Sequence, residues 1–169
     1  MSAADLPAIA VEALRTRLET AIADLPGQPS VLVSSPWRAP EFGLFIHLHA
    51  LALETRAPHP PLHAAGAHPL GATPPRPAWT LRLLIGAFAS DDGAIHRLMG
   101  RAALALHTDP LLTSDALADA ARRLGLPDPT ASAAQVASDE IGCADMSRLW
   151  QRFAPMRYSL SAAWRVTLA

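Results

Sequence analysis

From Arg157 to Leu168 the chain falls into two parities. Tyr158, Leu160, Ala162, Trp164, Val166 and Leu168 share one; Arg157, Ser159, Ser161, Ala163, Arg165 and Thr167 share the other. Period two predicts a β-strand with one buried face and one wetter face, the second carrying two arginines. Elsewhere the period lengthens. In "DLPAIAVEALRTRLETAIADLPG", Val11, Leu14, Leu18, Ile22 and Leu25 recur at three- and four-residue steps, which predicts an amphipathic helix ended by "LPGQP". "SDDGAIHRLMGRAALALHTDP" predicts a second helix, capped by Asp91 or Asp92 and ended by Pro110, with Ile95, Leu98, Met99, Ala102, Ala103 and Leu106 as its stripe. "TSDALADAARRLGL" predicts a third, with Thr113 or Ser114 as cap, Leu117, Ala120, Ala121 and Leu124 as stripe and Gly125 as stop. "CADMSRLWQRFA" predicts a short fourth helix carrying Leu149, Trp150 and Phe153.

The strands are marked by apolar runs. "SVLVSS" is a short one, followed by the turn-rich "PWRAPE". Residues 42–54, "FGLFIHLHALALE", are apolar on both parities except at His47 and His49, the pattern of a central strand covered on both sides, or half covered with a partner on the other face. "AWTLRLLIGAFAS" predicts a strand antiparallel to it, and "AQVASDEI" a short one. Between them, residues 55–77 hold seven prolines, two glycines and three histidines and show neither period, so a long surface loop and a wide hairpin are expected. The order is α, β, β, loop, β, α, α, short β, α, β. Elements are grouped rather than alternating, which predicts an α+β fold: a mostly antiparallel sheet with helices packed on one face. The length suits a single domain over residues 1–169.

Composition narrows the function. Half the residues are hydrophobic and 17% are charged, as in a folded chain with a substantial core. A formal net charge of −1 gives no general attraction to nucleic acid. All 14 basic residues are arginines, side chains suited to forked contacts. "MSAADLPAIAVEAL" carries acid where a secretion signal needs positive charge, and "FGLFIHLHALAL" is too short and too polar to span a bilayer. A soluble, cytoplasmic protein is expected, with no membrane and no nucleic-acid partner. The single cysteine, Cys143, excludes an internal disulfide and has no base beside it in sequence.

Candidate chemistry is sparse. His47 and His49, two apart on a strand, would share a face and supply two metal ligands, but no Asp, Glu or Cys on that strand completes a set, and His59, His63 and His68 match no compact zinc spacing. Neither metal nor cofactor is expected. The acidic pairs at 91–92 and 139–140 fit helix starts and loops. No nucleophile elbow or phosphate loop is present. Gly100, in the middle of a helix, reflects either close approach of another backbone or simple tolerance. Arg148 and Arg152, at i and i+4, share a helix face that Trp150 and Phe153 anchor; with Arg157 and Arg165 they form the candidate interface set.

"MSRLWQRFAPMRYSLSAAWRVTL" resembles the C-terminal signature of the cap, or tail-terminator, proteins of extracellular contractile injection systems, the phage-tail-like particles of the antifeeding-prophage and Photorhabdus virulence-cassette type. Leu149, Trp150, Tyr158, Ser159, Leu160 and Trp164 carry the likeness. "FGLFIHLHALALETRAP" looks like the family's apolar strand running into a polar loop, and "PAWTLRLLIGAFAS" like its second long strand. "IHRLMGRAALALHTDPLL" is similar to its histidine-led helix, through His96, Leu98, Met99, Gly100, Pro110, Leu111 and Leu112. Gly43 and His47 depart from the family pattern, as does the proline- and histidine-rich loop. The resemblance implies a phage tail-terminator-like fold and a structural, non-enzymatic role. A six-fold ring of identical subunits would end tube and sheath growth, with sheath and inner-tube proteins as partners. The particle would assemble in the cytoplasm before release. Two other readings of the residues are a small metal-dependent hydrolase using His47, His49 and a loop histidine, and a monomeric adaptor acting through its proline-rich loop.

Overall fold

The apolar stripes and runs become four helices and one six-stranded sheet in the computed structural model, which describes residues 3–56, 76–129, 131 and 133–168. Helix α1 spans Leu6–Ile22 and buries Val11, Leu14, Leu18 and Ile22, the stripe its sequence predicts. Strand β1, Ser30–Val33, leads through a 3₁₀ turn at Pro36–Arg38 into β2, Gly43–Arg56. Strand β3 is Arg76–Phe88 and helix α2 is Asp92–Thr108. Asp91 caps α2, its carboxylate accepting from the Ala94 N–H at 2.9 Å. After β4, Leu111–Thr113, comes α3, Ser114–Arg123. The Thr113 hydroxyl caps α3, and Gly125 ends it at φ +67°, where the Leu126 N–H reaches back to the Ala121 carbonyl. Strand β5 is Ala133–Ser138, helix α4 Cys143–Gln151 and strand β6 Ser161–Leu168.

The sheet order is β1-β2-β3-β6-β5-β4. Every described pair is antiparallel except β1 with β2, so the sheet is mixed and the fold is α+β. One face carries α1, α2 and α3 over a continuous core of Leu44, Ile46, Leu81, Leu83, Ile85, Trp164 and Val166. The expectation that helices would occupy one face holds for these three. Helix α4 lies on the opposite face, where Leu149, Trp150 and Phe153 pack on Phe45 and Leu84. The reason is legible in β2 and β3: both parities are apolar there, so both faces need cover.

Other expectations shift in detail. The last strand begins at Ser161, not Arg157. Before it, Tyr158 is exposed and lies against Trp150, with ring centroids 5.2 Å apart, while Ser159 is buried with its hydroxyl donating to the Ala87 carbonyl. That inverts the parity on which the longer strand rested. The wetter face of β6 is also drier than expected, because α4 shelters Ser161 and Ala163. Strand β4 was not anticipated; three residues show no period. Residues 55–56 and 76–77, expected as loop, belong to strands, since β2 runs to Arg56 and β3 starts at Arg76. The rest of that segment, with His59, His63 and His68, lies outside the described residues. In α2, Ala103 faces outward and Ala94 takes its place in the core.

Two glycines show how tightly the sheet is built. Gly43 has φ +146°, and a Cβ there would stand 2.0 Å from the Ser30 carbonyl oxygen. At Gly86 a Cβ would stand 2.4 Å from the Phe45 ring. Phe45 has no free direction in which to yield: it is fully buried, edge-on to Trp150 at 6.2 Å and tilted on Phe88 at 5.6 Å. Gly100 differs, because a Cβ there would meet nothing within 4 Å. Within the described chain, tolerance rather than close approach accounts for it.

Urea unfolding should therefore separate the two positions. Gly86→Ala is expected to destabilise by about 1–3 kcal/mol through overpacking. Gly100→Ala should stabilise by about 0.5–1 kcal/mol, because it removes glycine's helix penalty without adding a clash. Equal effects of one sign at both sites would contradict this packing.

Candidate functional site

The α4 face of the sheet gathers the charged residues that the sequence scatters. On β2 the pairing slips between Leu48 and Ala50, leaving His49 as a bulge. The extra residue lets Leu48 and Leu51, three apart, both serve the α1 side, while His47 and His49 both serve the α4 side. The His47 ring sits edge-on to Phe153 with centroids 5.1 Å apart. His49 forms the wall of an open cleft of about 370 Å³ with Arg82, Ile141, Asp145, Arg148 and Arg152.

Helix α4 fixes one side of that cleft. Leu149, Trp150 and Phe153 are buried, and the Trp150 indole N–H donates to the Ser161 hydroxyl at 3.0 Å, which ties α4 to β6. Arg148 and Arg152, four residues apart, then project over the cleft from a backbone that cannot roll. Arg82 enters from β3 and pairs with Asp139 at 3.2 Å. Arg148 reaches Asp145 at 3.5 Å. Arg152 and Arg165 make no ion pair with the described residues. In the β3–β6 register Arg165 stands directly opposite Arg82.

Electrostatics follow from this crowding. Partial burial pushes the His49 pKa down, and the Arg82 and Arg152 charges push the same way against the opposing pull of Asp139. His47 is also held below the usual histidine value, first by burial and then by His49. Both rings are biased toward the neutral form. The His49 Nε2 atom is buried and has no hydrogen-bond partner among the described residues. The arrangement is suited to gripping an anion by forked guanidinium contacts. Among the described residues, no three His, Cys, Asp or Glu side chains gather as a metal site. Cys143 is exposed at the start of α4.

Of the four arginines singled out from sequence, Arg148 and Arg152 share the cleft, and Arg165 lies beside its Arg82 wall. Arg157 is exposed in the segment between α4 and β6, outside the cleft lining. Sequence reasoning passed over Arg82 and Asp139. The signal for Arg82 was present: it is the one charged residue inside "WTLRLLIGAF".

A second feature is apolar. Strand β1 covers β2 only from Gly43 to Ile46, and beyond that the outer edge of β2 has no strand partner among the described residues. Leu51 and Leu53 stand exposed there, opposite Leu81 and Trp79 in register. Leu51 also enters a groove of about 640 Å³ with Pro7, Val11, Val33, Trp79 and Leu124.

Comparison with known proteins gives three findings. No curated protein matches the chain. A solved structure, the sheath/tube terminator of the extracellular contractile injection system PVC in its extended state, matches with a TM-score of 0.56 at 17% identity. The match covers 95% of this chain and 54% of that one, so the chain spans about half the length of the terminator it resembles in fold. Residues 10–169 match the Pvc16 N-terminal domain, nearly the whole length, and the chain belongs to that family.

Proposed function

We propose that this chain is the terminator, or cap, of a contractile injection particle. Identical copies close into a ring of six at the end away from the baseplate and stop the growth of inner tube and sheath. The observation that carries this reading is the shared fold with a sheath/tube terminator over 95% of the chain. Family membership over residues 10–169 supports it. The role is structural rather than catalytic. Residues 1–169 act as one domain, a reading supported by the six strands' joining one sheet with helices on both faces. Assembly takes place in the cytoplasm, before the particle leaves the cell.

Two surfaces divide the work. The free β2 edge, with Leu51 and Leu53, faces the next copy in the ring, because exposed leucines beside unpaired backbone groups favour association. The arginine face, with Arg148, Arg152 and Arg165 and with Arg157 beside it, meets the last layer of the particle. A packed helix already holds the backbone of Arg148 and Arg152, so binding has to order only their side chains.

Native mass spectrometry tests the ring. The intact chain is expected at six times its own mass, and Leu53→Asp, at an exposed position, should shift it toward a monomer that circular dichroism still shows to be folded. A wild-type chain that remains monomeric at high concentration and binds neither tube nor sheath protein would contradict the reading.

A further inference from the structure

We propose that the cleft between α4 and β3 binds a carboxylate side chain on an acidic peptide segment of a neighbouring protein, held between Arg152 and Arg82 against His49. The identity of the neighbour rests on the terminator reading; the binding chemistry rests on the cleft.

The charges do not balance. Arg82, Arg148 and Arg152 converge on the cleft and Arg165 stands beside Arg82, against Asp139 and Asp145, with Glu140 exposed nearby. Arg82 reaches Asp139 through one terminal nitrogen, which leaves the other donors of its guanidinium for a ligand. The Arg148–Asp145 pair is long and solvent-exposed on both sides, so it yields readily. Arg152 has no carboxylate among the described residues. The His49 ring lines the same cleft, with its Nε2 atom buried and without a hydrogen-bond partner among the described residues.

Shape and sign narrow the class. Leu149, Ile141 and Ala50 line the same cleft and suit the methylene groups of a glutamate. A nucleic-acid backbone would bring a run of phosphates past Asp139, Glu140 and Asp145 on a chain with a net charge of −1, so one or two negative charges fit where many do not. An acidic peptide is favoured over nucleic acid.

A carboxylate beside His49 would favour its protonated form, adding to Asp139 and opposing Arg82 and Arg152. Arg148 and Asp145 face the same cleft from α4. Binding is therefore linked to proton uptake at His49, and affinity rises as the pH falls toward the range, below the usual histidine value, in which that ring titrates.

The test titrates the full chain with the blocked peptide Gly-Glu-Leu-Glu-Gly, followed by NMR of the histidine ring protons. Its glutamine counterpart, inorganic phosphate and a ten-nucleotide thymidine strand are run in parallel. The glutamate peptide is expected to bind about tenfold more tightly than the glutamine peptide, and Arg152→Gln to lose about tenfold, at an unchanged melting temperature. Arg152→Lys should recover part of the loss. Affinity should rise as the pH is lowered into the range in which His49 titrates, a dependence that His49→Gln removes. Equal binding of the two peptides, undiminished binding by Arg152→Gln, or tighter binding of phosphate or the thymidine strand would overturn the proposal. Native mass spectrometry of the same samples separates the two readings. A ring without peptide selectivity removes the carboxylate site and leaves the terminator; peptide selectivity in a permanent monomer does the reverse.

Discussion

A sheet that is apolar on both faces must be covered on both, and here the cover is unequal. Three helices shelter one face. The other has a single nine-residue helix, α4, about 14 Å long at 1.5 Å per residue. It lies across a sheet whose thirteen-residue strand β3 runs about 43 Å. One helix of that length cannot hide such a face. What it hides it holds hard, through Trp150 against Phe45 and the indole bond to Ser161. What it leaves open must be polar, and that is where Arg82, Arg148, Arg152, Arg165 and His49 gather.

The same inequality gives the molecule its two characters. Under α1–α3 the chain behaves as an ordinary core protein, with Ile9, Leu14, Leu18, Leu98 and Leu106 fully buried. Along the outer edge of β2 and across the α4 face, the described residues leave groups without partners: exposed Leu51 and Leu53 on one side, Arg152 and Arg165 without a carboxylate on the other. The proposed terminator role, with contacts to its own copies and to a different protein, calls for two such surfaces, and a single sheet keeps them in fixed relation.

How far the sequence foretold this depends on how local each cause is. Helix stripes and caps are local, so α1, α2 and α3 could be placed from Val11, Leu14 and Leu18, from Asp91, and from Thr113 and Gly125. The strand in 161–168 was also legible. Its run-up was not: the two-residue period continues through Tyr158 and Ser159, but a hydrogen bond to Ala87, seventy-two residues away, buries the serine and turns the tyrosine outward. Helix α4 could be seen and its hydrophobic residues named, yet which face it would take depends on Phe45 and Leu84, far away in the chain. The cleft was half legible. Arg148 and Arg152 share a helix face by spacing alone, whereas Arg82 and Asp139 join them only through strand pairing, and the bulge at His49 leaves no mark in composition.

The role proposed for this chain is to end a tube. Its most direct measurement is electron microscopy of particles assembled from the tube and sheath proteins of the same genome, with and without the chain carrying a gold-binding tag. The account predicts label at one end only, and particles of uniform length that become long and irregular when the chain is left out. Label scattered along the sheath, or absent from particles whose length does not respond to the chain, would contradict it.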